Sequence, residues 1–194
     1  MKRIITISRE FGAGGGEICR KVAEKLNWDY YDKAIILNAA KESGIDVESI
    51  LKMEEKMPLN FGFGQSLFNF YSKPIDEKLY DVEKQIIRGY AEKGNCIILG
   101  RNANSILKEF DNTLHIFVTA PKEYRLERMK PKMPKESDEQ LLDRINNIDK
   151  HRKKYCNYYT GKEFGNASLY DLCINTAKID IDTSVDLIVN LVNS

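Results

Sequence analysis

Residues 8–17 read Ser-Arg-Glu-Phe-Gly-Ala-Gly-Gly-Gly-Glu, with four glycines in five positions. Glycine is needed where a backbone must take a positive φ or come close to another group. Consecutive amides in such a turn can point inward, and a helix opening behind them adds partial positive charge, which together make a cradle for anionic oxygens. A loop that holds nucleotide phosphates commonly reads G-x-x-x-x-G-K-[ST]. Aligned on Gly14, the present chain has Arg9 at the first glycine, Gly15 at the lysine and Gly16 at the hydroxyl residue. The expectation is a phosphate site formed by Gly12, Ala13, Gly14, Gly15, Gly16 and Glu17, with the cation that normally meets the β- and γ-phosphates supplied from elsewhere. Arg9 is the nearest candidate; the alternative is a surface arginine paired with Glu10.

Other residues could gather at the same place. Ser8-Arg9, Asp32-Lys33, Gly100-Arg101 and Asn175-Thr176 each end an apolar run. In an open parallel sheet, ligands bind beyond the carboxyl ends of the strands, and arginine grips phosphate with a planar fork. Arg125 and Arg128 are three apart, as are Asp149 and Arg152, so each pair shares one helical face. Lys130, Lys132 and Lys135 lie between these helices around Pro131 and Pro134. Two helices joined by a basic loop would form a lid able to exclude water from a transferred phosphoryl group. Intrahelical salt bridges are the plainer alternative for Arg125 and Arg152.

The elements that must position these residues alternate between short β-like runs and longer helical patterns, which predicts an α/β fold with a parallel sheet. The expected strands are 3–7, 28–31, 96–99, 114–118 and 170–174. Their continuous apolar character suits strands covered on both faces. Helices are expected over 16–26, 33–55 with a break at Gly44, 75–93, 137–155 and 181–192. More than 60 residues separate the second strand from the third, more than one crossover helix requires. Residues 33–93 are therefore read as a helical insertion on the acceptor side, and 121–160 as the lid of a single domain over 1–194. Phe61, Phe63, Phe68, Phe70 and Tyr71 could fill a core, cover a substrate or pair with a second subunit, so a homo-oligomer remains open.

Composition narrows the function classes. The 194 residues are 42% hydrophobic, enough for a core without disulfides or a metal. Thirty Lys and Arg balance 29 Asp and Glu, so neither a nucleic-acid coat nor a membrane-surface role is expected. Residues 120–165 hold 12 basic and 8 acidic residues, a local excess of four positive charges. No run approaches the roughly 20 apolar residues that cross a bilayer, and no leader peptide is read at the start. Cys19, Cys96, Cys156 and Cys173 lack metal-site spacing and read as reduced, mostly buried thiols, so a cytoplasmic location is expected and no metal site is assigned. His115, inside an apolar run, reads as a core or sheet-edge residue.

The stretches 5–15, Tyr30-Tyr31-Asp32-Lys33, Gly100-Arg101, Asp149-Lys150-His151-Arg152 through Tyr158-Tyr159-Thr160-Gly161, and 170–176 resemble the cytidylate-kinase-like family, in order and over nearly the whole chain. The resemblance implies a three-layer P-loop fold with a five-stranded parallel sheet, an acceptor-side insertion and a lid. It also implies that Arg101 and Asp32 position an acceptor nucleotide, and that Asp149 and Arg152 meet phosphates from the lid. Gly15 and Glu17 stand where true cytidylate kinases carry lysine and threonine, and Asn102 where they carry aspartate. The working expectation is transfer of phosphate from ATP, with Mg²⁺, to a nucleoside monophosphate such as CMP or dCMP. Arg9, Arg125, Arg128 and Arg152 would neutralise charge in flight, and Asp32, Lys33 and Arg101 would seat the acceptor. The alternatives are a nucleotide sensor without catalysis, or a kinase for another small acceptor.

Overall fold

The apolar runs form five parallel strands in a computed structural model that describes residues 3–42, 44 and 75–194. They are β1 (Ile4–Arg9), β2 (Asp29–Tyr31), β3 (Cys96–Leu99), β4 (Thr113–Thr119) and β5 (Leu172–Asn175), in spatial order β2-β3-β1-β4-β5. β1 is central, pairing Ile7 with Leu99 on one side and with Ile116 on the other. The chain passes from β1 to β2 and β3 on one side, then crosses to β4 and β5. The carboxyl end of β1 is thus the switch point where such folds bind ligands.

Alternation along the strands builds two cores. Ile5, Ile7, Ile97, Leu99, Ile116 and Val118 face α1 (Gly15–Leu26), which offers Ile18, Cys19 and Val22, and the C-terminal helix 181–193, which offers Val185, Ile188 and Val192. Ile4, Cys96 and Ile98 face the opposite way, toward Ile36 of α2 (Lys33–Glu42), Ile87 of α3 (Ile75–Lys93), and Ala103 and Ile106 of α4 (Ala103–Ile106). Helices on both faces of one sheet give the expected three layers. A fully buried isoleucine in such a core contributes about 2–3 kcal/mol over an exposed one, so Ile5→Ala or Ile98→Ala should cost about 2–5 kcal/mol.

The remaining helices are α5 (Lys122–Met129), a 3₁₀ turn over Lys130–Lys132, α6 (Asp138–Thr160) and α7 (Ile181–Asn193). Ser137 and Gln140 close a capping box at the start of α6. The helix runs to Thr160, five residues beyond the expected end, because its stop signal is Gly161 in left-handed geometry. β1 and β4 extend two residues and one residue further than expected at their carboxyl ends. β5 starts two residues later than expected, after a 3₁₀ turn over Ala167–Leu169. Cys19, Cys96 and Cys156 are buried, whereas Cys173 is exposed because β5 is an edge strand. Expectations for residues 45–55 and for the aromatic segment 61–71 fall outside the described residues. No helix among the described residues is long and apolar enough to cross a membrane.

Candidate functional site

A cavity of about 530 Å³ opens at the carboxyl ends of β1 and β3, under α6. Ser8, Arg9, Gly100, Arg101 and Asn102 reach it from the strands, Lys33 from α2, and His151, Arg152, Lys154, Tyr155, Tyr158 and Tyr159 from α6. Among the described residues five basic side chains line this space and no carboxylate does. The size suits a small-molecule ligand, and the lining suits an anionic one. Of the residues singled out by sequence, Arg9, Lys33, Arg101 and Arg152 share this wall. The loop 12–17, Asp32, Arg125, Arg128 and Asp149 do not.

Arg9 ends β1 and runs between two glycines. A Cβ on Gly15 would stand 2.7 Å from Arg9 Cβ and 2.9 Å from Cγ, and a Cβ on Gly100 would collide with Nη1. The side chain therefore starts in the space a residue-15 side chain would claim and ends against the β3 turn. Among the described residues its guanidinium has no hydrogen-bond acceptor, and Glu10 is not its partner. The Glu10 carboxylate accepts instead from Thr119 Oγ1 at 2.5 Å and lies 3.8 Å from Arg125 Nε. Burial first, and then the nearby Arg152 cation, push the Arg9 guanidinium down to about 9, with Cys19 and Asp32 pulling weakly the other way. Burial also lowers Arg152. Arg152 has one distant carboxylate, Asp149 at 3.9 Å, so two half-buried cations here are only partly compensated, and an anion between them is favoured.

The loop itself is held by α5 and α6. Arg152 Nη1 donates to Arg9 O at 2.8 Å, Arg125 Nη1 to Phe11 O at 3.0 Å, and Arg128 Nε to Gly12 O at 3.2 Å. Asp149 accepts from Phe11 N–H at 2.8 Å and from Arg125 Nη1 at 2.5 Å. Arg128 also meets Glu17 at 2.9 Å, with Lys132 3.8 Å from the same oxygen. The strongest ion pairs of Arg125 and Arg128 therefore cross between elements; the intrahelical Arg152–Asp149 contact is long, at 3.9 Å. Thr176, expected at the rim, is buried and donates to Ala13 O at 2.7 Å. Asp32 caps α2 by accepting from Ala34 and Ile35 N–H.

Sequence reading assigned the loop glycines to a phosphate; close packing uses several of them first. A Cβ on Gly12 would press on Arg125 Cβ and Met129, and one on Gly14 would stand 2.6 Å from Ile181 Cδ1. What the loop still offers an anion is the start of α1. Its first i→i−4 bond is Ile18 N–H to Gly14 O, so the amides of Gly15 and Gly16 lie ahead of the helical ladder, beside Arg9 and Arg128. These groups fit a polyphosphate. Among the described residues no cluster of three metal-ligating side chains exists, and Glu17 at the loop is engaged by Arg128.

On the far wall, Gly100, Arg101 and Asn102 all have positive φ, at 85°, 52° and 54°. Two consecutive non-glycine residues in this region cost about 1–2 kcal/mol each, so the surroundings must impose the turn. They include Glu83 of α3, which is wholly buried and pairs with Arg101 Nη2, and Tyr155, whose hydroxyl donates to the other Glu83 oxygen at 2.7 Å. The Arg101 guanidinium lies 4.4 Å from the centre of the Tyr155 ring. Glu83 was missed in sequence, although it sits among Leu79, Val82, Ile86 and Ile87 on the apolar face of α3.

Residues 4–178 match the model of the cytidylate kinase-like family. The cytidylate kinase of Pyrococcus horikoshii is 30% identical over 178 residues, covering 91% of this chain and 81% of that protein. The cytidylate kinase of Methanocaldococcus jannaschii is 27% identical over 194 residues, covering 98% of both. A crystal structure of an uncharacterized protein from Eubacterium ventriosum superimposes with a TM-score of 0.77 at 27% identity, covering 100% of this chain and 99% of that one. Shikimate kinase from Bacteroides thetaiotaomicron superimposes at 0.56 with 15% identity over 99% of both chains, a likeness of fold.

Proposed function

This chain belongs to the cytidylate kinase-like family, and we propose that it transfers the terminal phosphate of ATP to a nucleoside monophosphate such as CMP or dCMP. The observation that carries the reading is the cavity at the switch point, lined by Arg9, Lys33, Arg101, Arg152 and Lys154 with no carboxylate among the described residues. The donor phosphates lie along the amides of Gly15 and Gly16, next to Arg9 and Arg128. The acceptor phosphate lies against Arg101 and Lys33, and Arg152 stands between the two. Phosphoryl transfer needs little covalent help, so positioning and charge carry the rate. Magnesium would supply charge neutralisation on the donor phosphates; the chain's own part is to hold the two phosphates in line and keep water out.

Arg9 does the work that a loop lysine does elsewhere. Its side chain fills the space beside residue 15 and brings a cation to the boundary between loop and cavity. The lid arginines Arg125 and Arg128 act mainly on the loop, by fixing the carbonyls of Phe11 and Gly12.

A second reading is favoured by those same bonds: a loop without lysine, clamped by the lid, suits a sensor that binds nucleotide without turning it over. A coupled assay with ATP, Mg²⁺ and a panel of CMP, dCMP, UMP, AMP and small non-nucleotide acceptors separates the two. Turnover with CMP or dCMP is the expected result. ATP binding with no turnover on any acceptor would leave the sensor, and turnover confined to a non-nucleotide acceptor would overturn the nucleotide assignment.

A further inference from the structure

Glu83 is a wholly buried carboxylate on a helix whose neighbouring inward positions are apolar. Burying a lone carboxylate is strongly unfavourable unless it is paired and hydrogen-bonded, and Glu83 is both. One oxygen meets Arg101 Nη2 and the other accepts from Tyr155. The Tyr155 ring supports the same guanidinium from beneath at 4.4 Å. Arg101 sits in a backbone conformation that residues other than glycine rarely adopt. The guanidinium is therefore fixed on two sides and forms part of the cavity wall.

We propose that Glu83 is a positioning residue for anion binding: it acts through Arg101, holding the guanidinium plane toward the cavity for the phosphate of the acceptor. This rests on the cavity being the acceptor site, and it deepens that reading by assigning the seat of the acceptor phosphate to a three-residue unit drawn from α3, the β3 turn and α6. The pair Glu83–Arg101 is neutral overall. Arg101 thus supplies direction, while Arg9, Arg152, Lys33 and Lys154 supply net charge.

Net charge and positioning act with opposite signs on anion binding, which makes the test decisive. Removing a carboxylate raises the local positive potential and by itself tightens anion binding. Removing the group that aims Arg101 loosens it. Titration of the full chain with inorganic phosphate in a calorimeter reads the sign without any need for turnover. We expect Glu83→Ala to weaken phosphate binding about tenfold, comparably to Arg101→Ala. Glu83→Gln, which keeps the shape and one acceptor, should stay within about threefold of the wild type. Unchanged or tighter phosphate binding in Glu83→Ala overturns the proposal, and so does a wild-type protein that binds no phosphate.

Should Glu83→Ala fail to fold, Tyr155→Phe decides in its place: it keeps the ring, removes one bond to Glu83, and should weaken phosphate about threefold, with no change overturning the idea. If the chain turns over nucleotides, the same variants should raise the acceptor KM and leave the ATP KM within about twofold; a purely structural role would move both or neither, and would contradict the assignment. Absence of turnover tells against the kinase reading alone, since the phosphate titration stands apart from it.

Discussion

Arg9 and Gly15 exclude one another: a Cβ at residue 15 would lie 2.7 Å from Arg9 Cβ, so a side chain at the loop-lysine position and the arginine at the end of β1 cannot share this geometry. A cation beside the loop can therefore come from residue 9 or from residue 15, and not from both.

Gly15→Lys alone should therefore destabilise the protein and abolish activity, through the clash with Arg9. Combined with Arg9→Gly, which clears the space, it should recover stability and part of the activity. The two effects will be strongly non-additive, as expected of residues in contact. Turnover and urea denaturation of the four proteins check this; simple additivity would mean that the two residues do not compete.

Arg9→Met should be more stable than the wild type by about 1 kcal/mol, because it replaces a half-buried cation that has no ion-pair partner among the described residues with an apolar chain of similar length. Its turnover should fall by about a hundredfold or more. A variant that is less stable, or fully active, would show that Arg9 serves packing and not the ligand.

Anion binding should depend on pH with a definite sign. Burial lowers the Arg9 guanidinium to about 9 in the folded protein, far below the usual value for arginine. Folded-state Arg9 is thus half-protonated near pH 9 and loses the rest of its charge above it, where the unfolded chain still keeps its proton. Stability of the free protein should rise as pH passes upward through 9, while phosphate affinity falls over the same interval. Arg9→Met should show neither trend. Calorimetric titrations between pH 7 and pH 10 would reveal both.

Asp149→Ala should cost about 3 kcal/mol. It strips the partner from Arg125, whose side chain is 6% exposed, and leaves Phe11 N–H without its acceptor. The melting temperature and a denaturant midpoint measure the loss. A cost below about 1 kcal/mol, the range of exposed ion pairs, would show that water reaches this pair.

The sheet and most helices were legible from the chain because apolar period and bounding glycines agree there: Cys96–Leu99 and Ile75–Lys93 end where the pattern says they end. The site was legible only in part. Arg9, Lys33, Arg101 and Arg152 could be placed together because each follows a strand or faces the sheet edge from a helix. The second use of the loop glycines was hidden, since Arg125, Met129 and Ile181 approach them from more than 100 residues away. A carboxylate after a strand looks the same in sequence whether it meets a substrate or caps the next helix, and Asp32 caps α2. Glu83 carried a signal that went unused. An acidic residue at helical spacing among Leu79, Val82, Ile86 and Ile87 belongs to the buried stripe, and a buried acid needs a cation.

Residues 149, 152 and 155 follow one another at three-residue steps along α6 and fasten, in turn, the glycine loop, the end of the central strand and the Glu83–Arg101 pair. A rigid rod pinned at three collinear points cannot release one pin by sliding without straining the other two. The glycine loop, the end of the central strand and the Glu83–Arg101 pair are thus tied to one another through a single helix, and a shift of α6 that breaks one contact loads the other two.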